Sequence, residues 1–156
     1  MVPERRRLVD LEVVASKKSY SRPATAPNGE PWPRFPAEIT GYRKSADEGH
    51  STVSIDNRRN DSDVFLKLYS NSNRIYVPVR HTFIPAGGQY TCTDVSAGKY
   101  DVRYCDLDTG ALLKSEQFQL DEERTFDGIR YSTIEITLYK VANGNMETYP
   151  ISEAEF

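Results

Sequence analysis

Apolar and polar residues alternate along short segments of this chain, and turn-forming residues end each segment. Val64, Leu66 and Leu68 share one parity, for example, and the run Asn71-Ser72-Asn73 follows them. A period of two places alternate side chains on the same face, which is typical of a half-buried β-strand. We therefore expect strands at residues 38–42, 51–56, 64–69, 75–84, 89–95, 99–107, 111–120, 131–141 and 146–151.

These segments predict an all-β fold. Short strands at roughly ten-residue spacing, without a convincing helix, favour a sandwich or a barrel. A parallel sheet needs crossover helices, and the sequence offers none. Pro78 interrupts the run at 75–84, which favours an edge strand or two short strands because proline cannot donate to a ladder. We expect seven to nine strands in an antiparallel Greek-key β-sandwich.

Residues 89–95 and 99–107 flank the turn Ser96-Ala97-Gly98, which predicts a β-hairpin. In that register Cys92 lies opposite Val102, and one face carries the inward side chains Tyr90, Cys92, Tyr100, Val102 and Tyr104. Cys105 then points outward, roughly 11 Å from Cys92, whereas a disulfide needs about 7 Å or less. We expect no bridge, an inert Cys92 and a more reactive Cys105.

The N-terminal part of the chain is rich in proline and in basic residues. Five prolines lie between Pro23 and Pro36, and residues 1–44 carry nine Lys or Arg against five Asp or Glu. Such a segment buries too little apolar area to order itself. We expect a flexible arm at residues 1–29 and a sandwich domain at residues 30–156, with Trp32 and Phe35 docked against the domain.

Residues 83–104 have a further pattern, which begins with Phe83-Ile84-Pro85-Ala86-Gly87-Gly88-Gln89-Tyr90 and ends with Ser96-Ala97-Gly98-Lys99-Tyr100-Asp101-Val102-Arg103-Tyr104. This stretch resembles the core of transthyretin-like and carboxypeptidase-regulatory-like sandwiches. The resemblance implies a seven-strand Greek-key sandwich with a binding or spacer role, often outside the cytoplasm. It carries no functional residues onto this chain.

Composition argues against two classes of partner. The formal net charge of -3 gives no general attraction to nucleic acid, so we expect no nucleic-acid partner. No segment approaches the roughly 20 apolar residues that span a bilayer, so we expect a soluble chain without membrane insertion. We also expect no cofactor.

Two groups of residues are candidate binding sites. Tyr69, Tyr76, Tyr131 and Tyr139 have the outward parity of their strands, and outward tyrosines are typical of protein- and sugar-binding surfaces. The loop residues Asn57, Asn60, Asp61 and Asp63 offer the oxygen ligands that Ca²⁺ prefers. The alternative interpretation of this loop is a polar turn with side-chain caps.

Catalytic chemistry lacks a recognisable pattern. His50 and His81 lie on separate segments without a motif partner, and no serine or cysteine has the surroundings of a nucleophile. We expect a non-catalytic protein-interaction module that binds another protein or its own copy. An ectodomain or an immunity-type protein of a bacterial system fits this role. The open alternatives are a carbohydrate-binding sandwich, with or without Ca²⁺, and an enzyme with a dispersed site.

Overall fold

The computed structural model describes residues 20–139 and 148–156, and within these ranges the chain forms twelve β-strands and no helix. The all-β sandwich expected from the sequence is confirmed, but the expected count of seven to nine strands is wrong. Turns divide the sequence into shorter strands than the alternation suggested: the segment expected at 111–120, for instance, breaks at the exposed pair Glu116-Gln117.

The larger sheet contains seven strands. Six of them follow the spatial order β1 (Ala37–Glu38), β4 (Ile75–Ile84), β3 (Val64–Ser72), β6 (Gly98–Asp106), β7 (Leu112–Ser115) and β12 (Thr148–Pro150). The seventh, β8 (Phe118–Leu120), pairs with the beginning of β6, whereas β7 pairs with its end.

The smaller sheet contains β11 (Thr133–Thr137), β2 (Ser51–Asp56) and β5 (Gln89–Val95). β2 pairs with β5 antiparallel and with β11 parallel, so the expectation of purely antiparallel pairing is wrong for this ladder. A separate hairpin of β9 (Glu122–Thr125) and β10 (Gly128–Tyr131) precedes β11. It returns the chain so that β11 runs in the same direction as β2.

The main core lies between the two sheets. Val53 and Ile55 of β2 face it from the smaller sheet, while Leu66 of β3 and Val102 of β6 face it from the larger. In β2 buried and half-buried residues alternate strictly, as the period of two predicts. Each fully buried side chain of this size contributes about 1.5–3 kcal/mol to stability.

The hairpin expected from 89–95 and 99–107 does not form. β5 pairs with β2 and β6 pairs with β3, so Cys92 lies opposite Val53 and Val102 lies opposite Leu68. The short connection crosses from one sheet to the other. The face assignments survive because both strands bury alternate residues in the same core: Tyr90, Cys92, Tyr100, Val102 and Tyr104 all pack there.

A second cluster covers the outer face of the larger sheet. Trp32 is half-buried there, with its ring centroid 5.5 Å from Phe65 and 5.7 Å from Phe83, which confirms its predicted docking. The predicted docking of Phe35 is wrong, since this residue is 74% exposed. Ala26 is buried in this cluster, so the packed chain begins upstream of residue 30.

Three predictions fall wholly or partly outside the described ranges. These are the mobility of residues 1–19, the end of the strand expected at 131–141 and the beginning of the strand expected at 146–151. None of the described residues belongs to a helix long and apolar enough to cross a membrane.

Candidate functional site

The four candidate tyrosines do not form one surface. Tyr69 and Tyr76 lie on the larger sheet beside Arg103, whereas Tyr131 lies on β10 and Tyr139 follows β11. Tyr76 and Tyr131 are exposed, and Tyr139 is half-buried. The prediction of an exposed ring is wrong for Tyr69, which is only 9% exposed. Its parity is outward, but the chain end at 151–156 covers it.

The contacts of Tyr69 show how it is covered. Its hydroxyl donates to the Phe156 carbonyl oxygen at 2.5 Å, and the Arg103 guanidinium carbon lies 4.1 Å from its ring centroid. Arg103 in turn donates from Nη1 to the Glu155 carbonyl oxygen at 2.5 Å and from Nε to Asp101 at 2.8 Å. Burial lowers the pKa of Arg103, but its bonds to Asp101 outweigh burial, so the net pKa is raised.

An apolar strand edge lies next to this network. Ile75, Tyr76 and Val77 begin β4 and are 64%, 49% and 45% exposed. On the side away from β3, the described chain covers only the far half of β4: β1 pairs with Thr82 and Phe83. We call the three uncovered residues the 75–77 edge.

Two hydrogen bonds define where this cover stops. The Ile39 amide donates to the His81 carbonyl oxygen at 2.9 Å, and the Ser45 amide donates to the Val79 carbonyl oxygen at 3.2 Å. A β-bulge follows, since Leu68 pairs with Arg80 and the next residue of β3 pairs with Pro78. The 75–77 edge therefore lies beyond both the covering chain and the bulge.

A polar groove of about 420 Å³ lies on the smaller sheet, where its lining includes Ser54, Asp56, Arg58, Gln89, Thr91 and Glu135. The Ser54 and Thr91 hydroxyl oxygens lie 2.9 Å apart across β2 and β5. Arg58 donates to Asp56 from Nε at 3.0 Å and from Nη2 at 3.1 Å, and these bonds lower the pKa of the Asp56 carboxyl group. Hydroxyl, amide and charged groups of this kind are suited to a hydroxyl-rich ligand.

The candidate calcium loop is tied together by its own side chains. Asn57 is buried, and its Nδ2 donates to the carbonyl oxygens of Ser62, Ile84 and Pro85 at 2.9, 3.1 and 3.1 Å. Asn60 donates from Nδ2 to Asn57 Oδ1 at 2.9 Å. These bonds give both asparagines a structural role.

Asp63 also has partners within the protein. Its Oδ1 accepts the Ala86 amide and its Oδ2 accepts Arg22, both at 2.8 Å. Asp61, the fourth candidate, lies exposed in the same loop. In the described part of the chain no three His, Cys, Asp or Glu side chains cluster closely enough to hold a metal ion. Calcium binding at this loop stays a prediction.

The two cysteines are free thiols in different clusters. Cys92 is buried between the sheets, and burial raises its pKa to about 12. Cys105 is half-buried on the opposite face of the larger sheet, and burial raises its pKa to about 11. Both thiols are therefore protonated at neutral pH, which makes them weak nucleophiles. The register used to predict their separation was wrong, since the two strands are not paired.

Sequence reasoning missed the burial of two polar residues of β4, Arg80 and His81. Arg80 points into the main core, where its side chain is fully buried and donates to the Ser45, Val79 and Thr93 carbonyl oxygens. His81 points to the opposite face and stacks on Tyr42, with ring centroids 3.9 Å apart. Because residues 75–84 are mostly apolar, the sequence analysis did not single out these two side chains. The alternation of faces along a strand could have placed them on opposite faces of the sheet.

A second, apolar pocket of about 310 Å³ also escaped the sequence analysis. It lies over the larger sheet where residues 20–32 approach residues 153–156. Because these two segments are far apart in the sequence, no local pattern indicated it.

Comparisons of the sequence with models of known protein families and with curated proteins, and of the fold with solved structures, find no match. The resemblance of residues 83–104 to transthyretin-like modules therefore stays a prediction.

Proposed function

We propose that the protein is a non-catalytic interaction module that pairs with a β-strand along the 75–77 edge. The observation that carries this proposal is a run of three exposed apolar residues on a strand side that the described chain leaves uncovered. Natural sheets protect such edges with charge, proline or a covering segment, because an open edge is a template for pairing. The 75–77 edge itself carries no charge and no proline, and Pro78 lies just beyond it.

The chemistry of the edge fits strand addition. A partner strand gains main-chain hydrogen bonds, and side chains on alternate faces supply the specificity. Tyr76 offers an exposed aromatic ring, and tyrosine is enriched among the strongest contributors to protein interfaces. The buried guanidinium of Arg103 lies 5.0 Å from the centroid of this ring. The simplest partner is a second copy of this chain, because antiparallel pairing of one edge with itself is two-fold symmetric.

Sedimentation velocity over a range of concentrations tests this proposal. We expect the wild-type chain to associate, and Val77→Lys to shift it to the monomer because a charge on an edge opposes pairing. The matched control is Phe126→Lys. Phe126 is also exposed, at 103%, but lies at the turn between β9 and β10. Equal association of both variants would refute the proposed interface.

If the wild-type chain is monomeric, self-association is excluded and the partner is another protein. A photo-crosslinking side chain at Tyr76, compared with one at Phe126, then tests the edge in extracts of the natural host. Preferential adducts at Tyr76 that Val77→Lys abolishes would support strand pairing. Equal adducts at both sites would contradict it.

The polar groove supports a second candidate function, binding of a carbohydrate. Its hydroxyl and charged side chains are suited to sugar hydroxyls. The four candidate tyrosines lie elsewhere, and Tyr90 is the aromatic residue in the lining of the groove. A glycan array would test this candidate, with Gln89→Ala as the variant expected to lose a positive signal. Addition of EDTA tests whether Ca²⁺ takes part, since a bound ion raises the thermal midpoint by mass action.

A further inference from the structure

The apolar pocket on the larger sheet has the features of a small-molecule site, and it is independent of the 75–77 edge. It has a volume of about 310 Å³ and is partly open to solvent, and its apolar lining includes Tyr20, Trp32, Phe65, Leu107, Leu112 and Phe156. Phe65 lies at its centre: its ring centroid is 5.5 Å from that of Trp32 and 5.4 Å from that of Phe156, with interplanar angles of 61° and 88°.

Hydrogen bonds and close packing hold the N-terminal wall of the pocket. The Tyr20 hydroxyl donates to the Leu107 carbonyl oxygen at 3.0 Å, and Trp32 Nε1 donates to the Pro23 carbonyl oxygen at 3.0 Å. The Tyr20 ring lies directly against Gly110, where an added Cβ would be 2.4 Å from a ring carbon. The position of the ring thus depends on the absence of a side chain at this residue.

The C-terminal wall is fixed in the same way. The Phe156 carbonyl oxygen accepts hydrogen bonds from Lys67 Nζ at 2.7 Å and from the Tyr69 hydroxyl at 2.5 Å. Both walls are therefore held before any ligand arrives, which lowers the ordering cost of binding.

The charges around the pocket select the kind of ligand. Lys67 Nζ already lies 4.0 Å from the Phe156 ring centroid and 5.4 Å from that of Phe65, so a ligand cation would meet a like charge at these rings. Glu153 lies at the pocket lining and opposes an anion. Burial raises the pKa of Tyr20 to about 12 and that of Cys105 to about 11, so both groups are neutral near pH 7.

We propose that this pocket binds a small, neutral, planar hydrophobic molecule of one or two aromatic rings. Its volume of about 310 Å³ is at the low end of ligand pockets, which span roughly 300–1,000 Å³, so it suits a compact molecule and not a folded partner. Aromatic rings prefer edge-to-face or offset contacts with one another. The pocket lining contains four aromatic rings, those of Tyr20, Trp32, Phe65 and Phe156.

The test uses the full chain and the neutral, planar two-ring fluorophore 2-methoxynaphthalene, with naphthalene as a competitor. We expect saturable binding that naphthalene displaces. Leu112→Trp should weaken binding at least tenfold because it fills the pocket, whereas Phe126→Trp, the same kind of change at an exposed turn, should leave it unchanged. Absence of saturable binding, or equal binding by both variants, would overturn the proposal.

Cys105 provides a second measurement that needs no substitution. Naphthalene should slow the alkylation of Cys105 by N-ethylmaleimide severalfold in the native chain, because the thiol lines the pocket. Cys92 is an internal control, since it is buried in the other cluster and should react only after unfolding. Unchanged alkylation of Cys105 at saturating naphthalene would place the ligand elsewhere and would refute the proposed site.

Discussion

His81 should make the stability of this protein depend on pH in a predictable direction. The residue is 9% exposed, its Nδ1 has no hydrogen-bond partner among the described groups, and Lys67 is its cross-strand neighbour. Burial, assisted by the Lys67 charge, lowers its pKa from 6.5 to about 4. The imidazole is therefore held neutral in the folded state.

The sign of the effect follows from proton binding. Between about pH 6.5 and pH 4 the unfolded chain binds a proton at His81 that the folded chain does not, so stability falls as the pH falls through this window. A difference of one in pKa corresponds to about 1.4 kcal/mol. The free energy of unfolding should therefore fall by about 3 kcal/mol in total once the pH is below the His81 pKa of both the folded and the unfolded chain. At about pH 5 the loss is about 2 kcal/mol.

Urea unfolding at neutral pH and at about pH 5 measures this loss. We compare the wild-type chain with His81→Phe, which keeps an aromatic ring for stacking on Tyr42 but cannot titrate. The variant should lose about 2 kcal/mol less than the wild type on acidification, because other titrating groups affect both chains alike. His50→Gln is the control: it removes the only other histidine, which is exposed, and should retain the wild-type dependence. Parallel pH dependences of the wild type and His81→Phe would refute this reasoning.

Two substitutions with matched controls test other contacts. Gly110 and Gly87 both have a φ of +79°, so substitution by alanine should cost about 1–2 kcal/mol of stability at either residue. Only Gly110→Ala adds a clash with the Tyr20 ring, which should cost about 1–3 kcal/mol more, as measured by urea unfolding. Equal losses would show that the Tyr20 ring yields freely. Asn57→Ala should cost about 3 kcal/mol because it removes a buried amide that bonds the Ser62, Ile84 and Pro85 carbonyl oxygens and accepts from Asn60. The exposed Arg59→Ala should change stability by less than about 0.5 kcal/mol. A small loss for Asn57→Ala would mean that water replaces the amide.

The alternation of apolar and polar residues predicted the face on which a side chain lies better than it predicted which strands pair. Val53, Leu66 and Val102 are inward as expected, because the parity of a strand is a local property. Pairing depends on competition between strands that are distant in the sequence. A short turn such as Ser96-Ala97-Gly98 is compatible with a hairpin or with a crossing between sheets, and both arrangements bury the same residues of β5 and β6. The choice is decided by β2 and β3, which pair with these two strands.

The candidate site was harder to predict for a related reason. Parity correctly places Tyr69 away from the main core, but it does not indicate that residues 151–156 return to cover this face. The apolar pocket arises from the same return of the chain. A prediction from local pattern treats the outer face of each sheet as solvent, whereas the larger sheet has a third layer built from both ends of the described chain.

This third layer does not reach the 75–77 edge. The covering chain from β1 to Ser45 protects β4 at Val79, His81 and Phe83, and it ends before the beginning of the strand. Ile75, Tyr76 and Val77 belong to neither hydrophobic cluster, so packing of the described chain does not account for their apolar character. An uncovered apolar edge favours aggregation unless another strand occupies it. The proposed pairing with a partner strand would account both for these residue types and for the place where the cover stops.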